Sequence, residues 1–137
     1  MIVRPQSILL DAEALSALAQ GEKRMQAWAE VARRTDSILY ASTATLAEVT
    51  DGTARDARVR RAVKAVRLIE VTGGIGYRAG ALRAKAVAGR RKARSLTVDA
   101  LVAATATALT PPVVVLTSDR ADLVLLLSGT DVKVLQV

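Results

Sequence analysis

A chain of 137 residues suits one compact domain, and with 51% hydrophobic residues it can fill a substantial core. Cysteine and histidine are absent, which excludes disulfides, zinc sites built on those side chains, cysteine nucleophiles and a Ser-His-Asp triad. The net charge of +7 is uneven: residues 55–94 hold 13 Lys/Arg against Asp56 and Glu70, while the rest of the chain is acidic by four charges.

No apolar run reaches the roughly 18 residues of a membrane span. The best candidate, residues 100–116, is interrupted by Pro111 and Pro112, and the apolar run in MIVRPQSILLD is too short for a secretory signal. A soluble cytoplasmic protein with no membrane partner is expected. Any catalysis must use carboxylates, hydroxyls, amines, guanidinium or a hard cation such as Mg²⁺, which prefers oxygen ligands.

In chain order, SILLD (7–11) reads as a short buried strand ending in an acid. Two helices follow, over 12–20 and 22–34, parted near Gly21. SILYAS (37–42) is a second strand, and Ser42 or Thr43 caps a helix over roughly 43–51 that Gly52 closes. Residues 54–66 form an amphipathic helix, with Val59, Val63 and Val66 inward and Arg60, Lys64 and Arg67 outward. RLIEVT (67–72) is a third strand, ended by Gly73 and Gly74. Ile75, Ala79, Leu82 and Ala86 mark another helix, and residues 89–94 are a basic loop. LTVDALVAATA (96–106) opens a helix so rich in small apolar residues that it must be buried nearly all round. VVVLTSD (113–119) is a fourth strand, a short helix follows, and VKVLQV (132–137) closes the chain as a fifth strand. Strands alternating with helices predict an α/β fold, a five-stranded parallel sheet flanked by helices on both faces, as one domain over 1–137.

Acids recur at the mouths of these elements. Asp11 and Asp119 each follow a buried strand, Asp99 opens the buried helix, Asp122 lies one turn after Asp119, and Glu48 sits on the helix after the second strand. Each alone has a structural role available: helix N-caps for Asp11 and Asp119, a favourable place on a helix dipole for Asp99 and Asp122, solvation for Glu48. Ligands of open α/β sheets bind outside the carboxyl ends of the strands, and these acids point to one such crevice. Two charges about 6 Å apart repel by roughly 3 kcal/mol at an effective dielectric near 20, so such a cluster takes up protons or a cation. Carboxylates around Mg²⁺ or Mn²⁺ would make a phosphodiester-hydrolysing site that needs no histidine. The basic segment would attract the polyanion that the acids alone repel. With three aromatics, Trp28, Tyr40 and Tyr77, base stacking is a poor mode of binding, and phosphate contacts should dominate. Arg90, Arg91, Lys92 and Arg94 are the first candidates for phosphate contacts. Arg55, Arg58, Arg60, Arg61, Lys64 and Arg67 are the second.

The segments ILLDAEALSAL (8–18), STATLAEVT (42–50), LTVDALVAATA (96–106) and VVLTSDRADL (114–123), in this order and spacing, resemble the PIN domain, and within it the VapC-type toxins of bacterial type II toxin–antitoxin modules. The resemblance implies a metal-dependent endoribonuclease whose acidic quartet falls on Asp11, Glu48, Asp99 and Asp119, with Asp122 as a further acid. Thr117 and Ser118 would stand as hydroxyls beside the metal. Asp11, Asp99 and Asp119 would ligate Mg²⁺ directly or through water, and Glu48 and Asp122 would orient the attacking water or assist a second ion. It further implies a homodimer and a cognate VapB-type antitoxin. Leu123 departs from the Phe frequent in relatives, a change expected to touch packing more than chemistry. Three rival readings are a housekeeping RNA-processing PIN nuclease without antitoxin, a catalytically retired PIN-fold binding protein, and a phosphate-accepting receiver. The last is disfavoured because Val71 and Thr72, not Asp, end the third strand and Lys133 lies inside the fifth.

Overall fold

The computed structural model describes residues 4–88 and 96–137. Its five strands are β1 (Ser7–Leu10), β2 (Ile38–Ser42), β3 (Arg67–Ile69), β4 (Val113–Thr117) and β5 (Lys133–Gln136). They form one parallel sheet in the order β3-β2-β1-β4-β5, so the expected fold class holds. The helices are α1 (Ala12–Ala19), α2 (Lys23–Thr35), α3 (Thr43–Val49), α4 (Asp56–Ala62), α5 (Gly73–Val87), α6 (Thr97–Thr107) and α7 (Arg120–Leu126).

Side chains of a strand alternate between its two faces, and the core divides accordingly. Leu9, Val113 and Val115 face one cluster with Ile75, Leu82, Val102, Ala103 and Leu126 of α5, α6 and α7. Ile8, Leu10, Val114 and Leu116 face another with Leu15, Met25 and Ala32 of α1 and α2. β1 and β4 are therefore buried on both faces, which is why SILL and VVVL are apolar without alternation. Every residue of α6 from Val102 to Ala106 is buried, because this helix packs under α5 and α7 as well as on the sheet.

Two expectations need correction. Residues 54–66 are not one helix: α4 ends at Ala62 and continues as a 3-10 turn over Val63–Ala65. Gly73 and Gly74 do not end a strand; they open α5, whose N-cap Thr72 accepts from the Ile75 N–H. β3 stops at Ile69. It is an edge strand with Arg67 and Leu68 exposed, so burial offers little to extend it.

The order of strands fixes where a site can form. From β1 the chain winds outward through β2 to β3, then returns to place β4 on the other side of β1. The β1–β4 boundary is thus the topological switch point, and the crevice at its carboxyl end is the natural ligand position.

Candidate functional site

Asp11 stands at this crevice. Leu10 pairs with Leu116 in register, and the Asp11 N–H donates to the Leu116 carbonyl at 3.1 Å. Its carboxylate caps α1, accepting from the Ala14 N–H at 2.9 Å. Burial pushes its pKa up, partly offset by the Thr117 hydroxyl and by backbone N–H groups, while Glu13 adds to the upward push.

Asp119 follows β4 by two residues and caps α7 through the Ala121 N–H at 3.2 Å. Thr117, 1% exposed, braces the turn between them: its hydroxyl accepts from the Asp119 N–H and donates to the Asp119 carbonyl, each at 3.0 Å. Ser118, half-buried, lies between the two.

Asp99 differs from both. It is the third residue of α6, whose N-cap Leu96 makes no side-chain capping bond. The helix does not use this acid as a cap, yet it stands half-buried at the helix mouth. Its pKa rises to about 6, first through burial and then through the charges of Asp122, Glu48, Asp11 and Asp119, in that order. Asp122 occupies the first turn of α7, and α6 packs on α7.

Glu48 lies on α3, which Ser42 caps through the Ala44 N–H at 3.1 Å. Its pKa is raised by burial and by the charges of Asp11 and Glu13. Five acids, three on α3, α6 and α7 and two following β1 and β4, therefore share one electrostatic neighbourhood. Glu13 joins them, pressing on both Asp11 and Glu48. Sequence reasoning passed over Glu13; its place in the first turn of α1, two residues after Asp11, was the signal available.

As the side chains stand, no three acids among the described residues approach closely enough to enclose a metal ion. The donor set nonetheless suits a hard divalent cation: it is all oxygen and its charges repel. Mg²⁺ commonly keeps several waters and takes one or two carboxylates, a looser grouping than a closed cage.

The basic candidates fall into two groups. Arg90, Arg91, Lys92 and Arg94 lie outside the described residues. Arg60, Arg61 and Lys64 are exposed on α4 and the turn after it. No helix among the described residues is long and apolar enough to cross a membrane.

The family model for the PIN domain matches residues 8–122. No curated protein matches the chain. Solved structures of similar fold include VapBC2 from Rickettsia felis bound to a DNA fragment from their promoter (TM-score 0.73, 12% identity, 96% of this chain and 98% of that one). A toxin–antitoxin complex from Klebsiella pneumoniae has TM-score 0.63 and 22% identity over 91% and 94%. DNA-bound VapBC from Salmonella typhimurium has TM-score 0.64 and 14% identity over 95% and 97%.

Proposed function

The chain belongs to the PIN domain family, and from that premise we propose that it is a Mg²⁺-dependent endoribonuclease, with Mn²⁺ as a substitute, acting as the toxin of a toxin–antitoxin pair. The observation that carries the reading is Asp99, half-buried at the mouth of α6 and lifted to about 6 first by burial and then by the charges of Asp122, Glu48, Asp11 and Asp119. Folding that gathers like charges costs stability unless a ligand of opposite charge repays it. The toxin role and a VapB-type antitoxin draw support from the toxin–antitoxin complexes of similar fold; a homodimer is part of the same proposal.

In this reading Asp11, Asp99 and Asp119 would hold the cation directly or through water, while Glu48 and Asp122 would orient the attacking water or assist a second ion. A bound divalent cation lowers the pKa of a coordinated water and neutralises phosphate charge. Thr117 keeps the Asp119 backbone fixed, so that this carboxylate starts from one position. Water adds to phosphorus as the bond to the ribose 3′ oxygen breaks in line. The displaced oxygen takes up a proton, leaving 5′-phosphate and 3′-hydroxyl ends. The basic residues of the chain bring in the polyanion.

The test is cleavage of single-stranded RNA by the purified chain with Mg²⁺, with EDTA, and by Asp11→Asn and Asp99→Asn variants, with the new 5′ ends mapped. Cleavage should require the metal and fail in both variants. Equal cleavage by the variants, or in EDTA, would overturn the assignment.

A further inference from the structure

Two clefts lie at opposite ends of the segment formed by α4 and its 3-10 turn. The first, about 280 Å³, has Glu48 in its wall together with Arg55 and Arg58. The second, about 320 Å³, lies between α2 and the start of β3 and is lined by Arg33, Lys64 and Arg67. Arg58, Arg61 and Lys64 recur every third residue between them. Residues three apart are neighbours on a helix and eclipse one another in a 3-10 turn, so these three form one stripe. All are exposed. Arg58 lines the first cleft and Lys64 the second, with Arg61 between them in neither; Arg60 is one position off this spacing.

The stripe carries charge that the described chain leaves unneutralised. Every ion pair among the described residues lies within residues 22–34. The acids nearest the stripe are otherwise engaged. The Asp56 carboxylate, 5% exposed, accepts from the Asp51 and Gly52 N–H groups at 3.1 and 2.8 Å. The Asp51 carboxylate accepts from the Thr53 N–H and hydroxyl, with the Arg55 charge close by. Arg33 is paired with Glu30. These bonds fix the loop over 51–55 and leave Arg58, Arg61 and Lys64 as the stripe's available cations.

We propose that Arg58, Arg61 and Lys64 are a rail for the phosphate backbone of single-stranded RNA, leading it from the acidic crevice at Glu48 toward the cleft at Lys64 and Arg67. The proposal rests on the endoribonuclease reading and adds the path of the substrate strand. From Arg58 to Arg67 the segment runs roughly 15 Å, long enough to track several phosphates of one strand. The contacts are to backbone charge, so the rail is indifferent to base sequence.

The experiment is a salt titration of binding in EDTA, where no metal-dependent cleavage intervenes. The probe is a short fluorescein-labelled single-stranded RNA of mixed sequence. Three proteins are compared: the parent, Arg58→Gln/Arg61→Gln/Lys64→Gln, and a control with equal charge removed from α2, Lys23→Gln/Arg24→Gln/Arg34→Gln. Three lost contacts at about 0.7 each should lower the slope of log K against log salt by about 2 units, with affinity at least tenfold weaker, while the control stays near the parent. Thermal unfolding verifies that each variant is folded, and Arg61→Gln alone, expected to lower the slope by about 0.7, serves if the triple variant is not. A rail variant whose slope matches the control overturns the rail. If the parent still cleaves RNA with Mg²⁺ in that case, the nuclease reading stands without it; a parent that neither binds nor cleaves RNA overturns both.

Discussion

Asp122 is the charge that weighs most on Asp99, more than Glu48, Asp11 or Asp119. The two acids lie in the first turns of α6 and α7, helices that pack on one another. A helix dipole favours an acid there by about 0.3–1 kcal/mol, a gain that repulsion between two such acids offsets.

Asp99→Asn should therefore separate stability from activity. Near neutral pH without metal, it removes a charge held at a disadvantage, and unfolding stability should rise by about 1–2 kcal/mol after allowance for partial exposure, a few degrees in Tm. RNA cleavage should fall at least a hundredfold. Calorimetry and an end-mapped cleavage assay check the two halves; a variant less stable than the parent would contradict the reading that burial and repulsion together disfavour this charge.

The pH dependence follows with a definite sign. Asp99 has a folded-state pKa near 6 against 3.8 for the free group, so between these values the folded chain holds more protons than the unfolded one. Metal-free stability should fall as pH rises from about 4 to 6 on this group's account. Metal binding needs the carboxylate ionised, so at subsaturating Mg²⁺ cleavage should rise through pH 6, and the midpoint should move lower as Mg²⁺ increases. A midpoint indifferent to metal concentration would separate Asp99 from the ion.

Asp56 illustrates an acid with a purely structural duty. It is buried and accepts two backbone N–H bonds from the loop before α4. Asp56→Ala leaves both donors without a partner and should cost about 2–4 kcal/mol in urea unfolding. Metal-dependent cleavage by the fraction that remains folded should persist, in contrast with Asp99→Asn.

Thr117→Val keeps the shape of a fully buried side chain but removes both bonds to the Asp119 backbone. The loss should be about 1–3 kcal/mol in stability, with cleavage reduced by more than the stability change explains, because Asp119 and Asp11 both lean on this hydroxyl. Thr117→Ser, which keeps the oxygen, should restore most of the cleavage.

Much of the fold was legible because its signals are local. SILL and VVVL are apolar without alternation, and the parallel strands they form are buried on both faces. The spacing of Ile75, Ala79, Leu82 and Ala86 predicts the buried stripe that α5 carries. Ser42 caps α3 as its side-chain chemistry predicts. The misreadings are local too: Gly73 and Gly74 read as a stop because glycine commonly breaks elements, yet the Thr72 cap that follows the edge strand lets them start a helix.

The sequence by itself determined which side chains could do chemistry: carboxylates and hydroxyls at element mouths, with no histidine or cysteine to compete. Whether those acids meet was decided by tertiary structure alone. Strand order puts β1 beside β4 and brings Asp11 level with Thr117, and packing of α6 on α7 sets Asp122 against Asp99. Glu13, exposed in the first turn of α1, adds its charge to the same neighbourhood. The reason is that hydrophobic period and capping act over a few residues, whereas Coulomb repulsion depends on separation in space, which only the folded chain defines.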